Sequence, residues 1–62
     1  MTDLSEERRR EVFAAVVAAE DDGLSVQESR WSVCNQFGLL PEVVRQVVLE
    51  GLQKGWPPLG EQ

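Results

Sequence analysis

The pattern of apolar and polar positions along the chain predicts three helices. Apolar residues recur at helical spacing in three stretches, and glycine or proline separates one stretch from the next. We expect helices over residues of roughly 5–22, 25–37 and 41–54, followed by a tail over 55–62. The predicted fold is therefore all-α. It is a small three-helix bundle of helix-turn-helix type, forming a single domain over 1–62 with an extended Trp-Pro-Pro C-terminal tail.

The first helix is indicated by its start, its composition and its stop. Ser5 or Asp3 is the candidate cap of its N-terminus, and Gly23 supplies the C-terminal stop. No glycine or proline interrupts the stretch up to residue 22, and its alanines favour helix strongly. The residues expected to form its buried stripe are Val12, Phe13, Val16 and Val17.

The second helix opens with a capping box. Ser25 is the expected N-cap, and Glu28 stands at the third helical position of the sequence S-V-Q-E. The stripe expected to be buried comprises Val26, Val33, Cys34 and Phe37. Trp31 lies off that stripe. We expect it to pack against the first helix, and the alternative is that it forms part of a contact surface.

A very short turn joins the second helix to the third. It consists of Gly38, Leu39 and Leu40, so the two helices must turn sharply against each other. Gly38 is expected to have a positive φ. Leu40 falls at the N-cap of the third helix without a side-chain acceptor, whereas Pro41 suits the first helical position. A short glycine-led turn between two apolar-faced helices indicates a helix-turn-helix arrangement.

The third helix has two distinct faces. A buried face is predicted from the spacing i, i+3, i+4 of Val44, Val47 and Val48. At about 100° per residue, the opposite arc carries Glu42, Arg45, Gln46, Leu49 and Gln53. Gly51 weakens the helix by about 1 kcal/mol relative to alanine, so we expect another backbone to pack closely there. Beyond the helix, Trp56 and Leu59 are expected to fold back onto the core.

The charge of the chain bears on the choice of partner. At 62 residues the chain is one domain at most, and its stability should be marginal. Eleven acidic residues face six basic ones, which gives a net charge of −5. DNA-binding domains usually carry an excess of Lys and Arg, because neutralising phosphates supplies much of their affinity. The charge therefore favours a protein partner over nucleic acid.

The residue inventory offers little for catalysis. The sequence has no histidine, and its single cysteine, Cys34, falls on a position predicted to be buried. A histidine general base, a Ser-His-Asp triad and a Cys/His zinc site are therefore excluded as self-contained sites. A Gly-rich phosphate loop is also absent from the sequence. We expect no enzymatic activity, no cofactor, no metal and no small-molecule substrate.

The same inventory predicts a cytoplasmic protein without a membrane partner. No apolar run approaches the ~20 residues that span a bilayer. The sequence starts MTDLSEE, which is acidic where a signal peptide has a basic flank. A single cysteine forms no internal disulfide, as is usual in the cytosol.

The turn and the third helix carry a family resemblance. Counted outward from Gly38, the constrained positions of the general helix-turn-helix signature are matched by Cys34, Phe37, Leu39, Val44 and Val47. The stretch QFGLLPEVVRQVVLEGLQK resembles region 4 of bacterial sigma factors, in which a glycine turn precedes a recognition helix of V-R-Q-I-E type. This resemblance implies a DNA-binding transcriptional regulator. In it, Arg45 would read guanine and Gln46 adenine in the major groove.

Two functions therefore stay open. The preferred one is a non-catalytic module that binds another protein or a second copy of itself through Trp31, Leu40, Glu42, Arg45 and Leu49. Leu40 and Pro41 stand where the sigma-like family would be expected to make polar capping and phosphate contacts, and Leu49 places an aliphatic side chain in the middle of the outer face. The alternative is the DNA-binding regulator, using Arg45 and Gln46, with Arg8 to Arg10 and Lys54 as further contacts.

Overall fold

The computed structural model describes residues 4–57, which form three α-helices. Helix α1 spans Glu6–Asp21, α2 spans Val26–Phe37 and α3 spans Pro41–Lys54. Each helix packs against both of the others around one shared core. The predicted three-helix, all-α bundle is confirmed, and the predicted helix ends differ from the observed ones by one residue at most.

The first two helices begin at the caps that the sequence indicates. The Ser5 hydroxyl accepts a hydrogen bond of 3.1 Å from the backbone N–H of Arg8, whereas Asp3 lies outside the described residues. Ser25 and Glu28 form the predicted capping box, with reciprocal hydrogen bonds of 3.1 Å. These bonds satisfy backbone donors that a helix start leaves without intrahelical partners.

The turn between α2 and α3 is closed by the glycine that the sequence places there. Gly38 adopts the left-handed conformation with φ 69° and ψ 37°, as predicted. The next N–H, that of Leu39, donates to the carbonyl of Cys34 at 3.0 Å, which ends α2 in a Schellman motif. Leu40 is the N-cap of α3 and makes no side-chain cap bond, and Pro41 follows at the start of the helix. The motif brings the end of α2 directly beside the start of α3.

The core contains the predicted valine stripes together with Trp56. Its buried apolar members are Val12, Phe13, Val16, Val33, Cys34, Val44, Val47, Val48 and Trp56. Val17 packs against this cluster from a partly buried position. Ser29 is also fully buried, which the sequence analysis missed, and its hydroxyl donates to the Ser25 carbonyl at 2.8 Å. A short hydroxyl can enter the core because the backbone of its own helix satisfies it.

Two expectations about the buried face of α2 are corrected. Val26 is 53% exposed, although its phase on the helix is right for burial. It is the first residue of α2, within a stretch over 20–28 that is exposed throughout, so no other element covers it. Phe37 is only partly buried, because it lies at the edge of the core with the Arg8 guanidinium 4.8 Å from its ring centroid.

Gly51 allows a close approach, but the approaching group is a side chain and not a backbone. A Cβ at this position would overlap the ring of Phe13, which is almost completely buried. The same ring meets Trp56 edge to face, with centroids 6.2 Å apart at 78°. Trp56 is docked as predicted, with only 3% of its surface exposed. Leu59 lies outside the described residues.

Candidate partner-binding surface

A groove of about 360 Å³ lies between α2 and α3. Its walls come from residues 27–34 of α2 and residues 41–45 of α3, and the residues lining it are Gln27, Arg30, Trp31, Cys34, Pro41, Glu42 and Arg45. We refer to it as the α2–α3 groove. Three of the five residues predicted to bind a protein therefore lie together in it: Trp31, Glu42 and Arg45.

Helix periodicity explains why these residues share one groove. On α2 the lining residues follow Gln27 at steps of three, four and seven, and such positions lie on one face of a helix. On α3, Arg45 stands four residues after Pro41 and therefore one turn above it on the same side. The short turn at Gly38 then holds the two faces side by side.

Trp31 is exposed and does not pack against α1. About 57% of its surface is open to solvent. The expectation of packing was wrong because Trp31 is about 200° around α2 from the fully buried Ser29, at 100° per residue. The core therefore receives the opposite side of α2, and the indole is left on the wall of the α2–α3 groove.

The two arginines of the groove differ from the other basic residues of the chain. Four of the six basic side chains form ion pairs with carboxylates of the same chain, and these are Arg8, Arg9, Arg10 and Lys54. Arg30 and Arg45 form no ion pair with any residue of 4–57. The Nε atom of Arg30 is also buried without a hydrogen-bond acceptor in that part of the chain. An unsatisfied buried donor costs about 1–3 kcal/mol, so this arrangement of Arg30 is unfavourable for the free chain.

The groove is locally cationic on an acidic molecule. Glu42 is its only acidic lining residue, against Arg30 and Arg45. Residues 6–22 carry six acidic side chains against three arginines, whereas residues 26–54 carry three acidic and three basic side chains. Three of the five net negative charges of the chain therefore belong to α1 and the turn after it. The α2–α3 hairpin is neutral overall, and its groove is positive.

The remaining predicted site residues flank the groove. Leu49 is 48% exposed and follows Arg45 by one helical turn, and Leu52, which the sequence analysis missed, follows one turn later and is exposed too. Leu40 is exposed beside Pro41, and Gln46 is exposed on the outer arc of α3. Groove residues that were not considered for binding from the sequence are Gln27, Arg30 and Cys34. Counting three and four residues from Trp31 along α2 would have found Gln27 and Cys34.

A second cluster of charged residues lies where α1 packs on α3. Arg9 binds both carboxylate oxygens of Glu50, at 2.8 Å from Nε and 3.2 Å from Nη2, and also donates to the Leu4 carbonyl at 2.6 Å. Lys54 approaches the same carboxylate at 2.8 Å. The hydrogen bonds from Arg9, and then from Lys54, hold the pKa of Glu50 below its ordinary value. We refer to this cluster, with Trp56 beside it, as the α1–α3 seam.

Arg8 and Arg10, proposed above as additional DNA contacts, are also engaged within the chain. Arg8 pairs with Glu11 at 2.6 Å, and Arg10 pairs with Glu6 at 2.9 Å. Both pairs are half exposed, so each contributes little to stability. They do, however, place a carboxylate beside each arginine that a phosphate would have to approach.

Comparisons with known proteins add no relative. The chain matches no protein-family model, no curated protein and no solved structure. Across residues 4–57, no helix has the length and apolar character needed to cross a membrane. The same residues hold no cluster of three or more His, Cys, Asp or Glu side chains suited to a metal ion.

Proposed function

We propose that this chain is a non-catalytic protein-binding module and that the partner docks on its α2–α3 face. The face comprises the α2–α3 groove together with Leu40, Leu49 and Leu52. The observation that carries the proposal is the exposed Trp31 beside two arginines that have no carboxylate partner in residues 4–57.

The composition of the face supports this proposal. Tryptophan and arginine are the residues most enriched among those that dominate binding energy at protein interfaces. Here both lie at the centre, while exposed leucines extend the apolar surface along α3. Single exposed leucines are common on monomers, but Leu49 and Leu52 continue the same side of α3 that begins with Arg45. Together they add exposed apolar surface to the same side of α3 as Arg45, and protein-binding surfaces are often apolar in part.

A second candidate function is DNA binding, and one observation favours it. Arg45 and Gln46 are both exposed on the outer arc of α3, directly after a tight glycine turn. The small number of basic side chains without an ion pair argues against DNA binding. Proteins that bind DNA tightly contact about 6–10 phosphates, and here only Arg30 and Arg45 lack an ion pair within the described residues. The acidic excess on α1 would repel the duplex further. We therefore place the protein partner first.

Photo-crosslinking in living cells tests the proposal directly. A photoreactive amino acid at position 49 should give a discrete protein adduct, which mass spectrometry can identify. The matched control is position 18, where Ala18 is exposed on α1 outside the α2–α3 face. An adduct of twice the mass of the chain would identify a second copy as the partner.

A duplex-DNA titration provides the contrasting result. The protein-binding proposal predicts weak binding to random-sequence DNA that Arg45→Ala does not change by more than a few-fold. Duplex binding that falls steeply with salt, is lost in Arg45→Ala and is kept in Leu49→Glu would contradict the proposal and establish the DNA-binding alternative.

A further inference from the structure

We infer that the α2–α3 groove recognises a side-chain carboxylate in an acidic segment of the partner, with an adjacent apolar residue of that segment packed on Trp31. The inference rests on the proposed function and adds to it the chemistry of the partner. Arg30 and Arg45 are the carboxylate ligands, and Trp31 with Pro41 forms the apolar wall.

The hydrogen-bond donors of the groove suit a carboxylate. A guanidinium presents parallel N–H groups that match the two oxygens of a carboxylate. This chain already uses that geometry in the α1–α3 seam, where Arg9 binds Glu50 through two hydrogen bonds of 2.8 and 3.2 Å. The groove holds two further guanidinium groups without any such carboxylate in residues 4–57, and the Nε of Arg30 is buried without an acceptor there. A carboxylate entering the groove would supply acceptors to the guanidinium groups of Arg30 and Arg45 that line it.

The apolar surfaces of the groove call for an apolar residue beside the carboxylate. Trp31 and Pro41 offer flat apolar surfaces within the same groove, and the buried Cys34 lies between the helices at its base. A charged group bound alone would leave these surfaces in water. An aliphatic or aromatic residue beside the acidic one would cover Trp31 and shield the ion pair from solvent. The recognised element is therefore an acidic residue next to an apolar one.

The charges of the groove favour a peptide over a polyanion such as a nucleic acid. Glu42 also lines the groove, three residues before Arg45 on α3, so a second negative charge placed in the groove would meet a carboxylate. A nucleic acid presents a negative charge at every phosphate, whereas a peptide can present one carboxylate followed by neutral residues. The net charge of −5 for the whole chain also opposes polyanions. Charge complementarity thus favours an acidic, apolar-anchored peptide segment.

A random-peptide display library is the appropriate probe, because it contains acidic, basic and neutral sequences without a bias toward any charge. Selection on the wild-type protein should enrich peptides in which Asp or Glu neighbours Leu, Ile, Phe or Trp. Amide-capped synthetic copies should bind at least about tenfold more weakly when that Asp or Glu becomes Asn or Gln, because a charge-assisted hydrogen bond is lost.

Variants of the protein test which arginines bind the carboxylate of the peptide. Arg45→Gln should weaken binding of the enriched peptides by roughly tenfold or more, and Arg30→Gln should act in the same direction. Arg8→Gln removes the same charge from the exposed surface of α1 and should leave binding within about twofold. Because Arg45 is exposed, Arg45→Gln should remain folded, so the test stands even if the partly buried Arg30 does not tolerate replacement.

The outcomes distinguish this inference from the proposed function. Enriched peptides that need Trp31 or Leu49 but contain no acidic residue would overturn the carboxylate inference and leave the protein-binding module intact. Equal losses in Arg45→Gln and Arg8→Gln would also overturn it, because the effect would then be one of net charge. Failure to enrich any peptide above an Arg30→Gln/Arg45→Gln double variant would reject the inference, while the crosslinking at position 49 decides the proposed function separately.

Discussion

The α1–α3 seam and the α2–α3 groove contain the same two kinds of residue, an arginine and a tryptophan between packed helices, in opposite states. In the seam, Arg9 is bound by Glu50, and Trp56 is 3% exposed against Phe13. In the groove, Arg45 has no ion pair within residues 4–57, and Trp31 is 57% exposed. The residue types are the same, and what differs is whether the chain supplies the complementary group.

This difference separates groups that hold the fold from groups available for binding. A paired arginine and a buried tryptophan have already exchanged their contacts with water for contacts with protein, so their interactions contribute to folding. An unpaired arginine and an exposed tryptophan can still make that exchange with another molecule. Substitutions in the seam should therefore change stability, and substitutions in the groove should change binding. The following predictions test that division, beginning with the largest effect.

The largest expected difference in unfolding free energy is between variants of the two tryptophans. Trp56→Ala removes a buried aromatic side chain and its edge-to-face contact with Phe13, and should lower the free energy of unfolding by about 3–5 kcal/mol. Such a loss is comparable to the whole stability expected of so short a chain. Trp31→Ala should change the unfolding free energy by no more than about 0.5 kcal/mol. Urea titration followed by circular dichroism measures both, and equal losses would refute the division.

The next effect concerns the contact of α1 with α3 at Gly51. Alanine is the better helix former by about 1 kcal/mol, yet Gly51→Ala should destabilise the protein by about 1–3 kcal/mol. The added methyl group would overlap the Phe13 ring, which is enclosed and cannot move away. The same titration made in a Phe13→Leu background supplies the control, since there the alanine should cost markedly less. A stabilising Gly51→Ala in the wild-type background would show that the ring can shift.

Much of the fold, but not all of it, could be predicted from the sequence. Local signals located every helix end, because the caps Ser5 and Ser25 and the glycine at position 38 act within a few residues of themselves. The docking of Trp56 was also predictable, since apolar residues beside prolines have few other places to bury. The burial of Val26 was predicted incorrectly, because correct helical phase does not guarantee that another element lies opposite.

The candidate site was only partly predictable for a related reason. Trp31, Glu42 and Arg45 were identified from helical phase and residue type, both of which the sequence contains. Arg30 was missed because its importance comes from forming no ion pair with a carboxylate of residues 4–57, and this depends on where every acidic residue lies in the fold. The pairing of Arg9 with Glu50, 41 positions apart in sequence, is likewise invisible before the helices are packed.

A smaller effect is the pH dependence of the seam. Because hydrogen bonds from Arg9 and Lys54 lower the pKa of Glu50 in the folded state, this carboxylate stabilises the fold above the pKa it has in the unfolded chain. That contribution is lost as the pH falls through the lowered pKa. Glu50→Gln should therefore reduce the unfolding free energy near neutral pH by about 1 kcal/mol or less, and the two proteins should converge in acid. Glu11→Gln, in an exposed pair, is the control and should show a smaller difference.

The smallest expected effect on stability is at Leu49. Leu49→Glu places a charge on a side chain that is already half exposed, so the unfolding free energy should change by no more than about 0.5 kcal/mol. The proposed function nevertheless predicts that this substitution abolishes partner binding. A thermal melt and a crosslinking or pull-down assay with the identified partner measure the two quantities on one protein. Loss of folding together with binding would show that Leu49 belongs to the core.

The alkylation rate of Cys34 can be used to measure how often α2 and α3 separate. Cys34 is the only thiol in the sequence, and it is buried where α2 and α3 meet beneath the groove. Only 5% of its surface is exposed, so a bulky alkylating reagent should react with it mainly when these helices part, and the labelling rate then reports the free energy of that opening. A molecule seated in the groove would have to leave before the helices could separate. The affinity of that molecule could therefore be read from the slowing of alkylation, without attaching any probe to the protein.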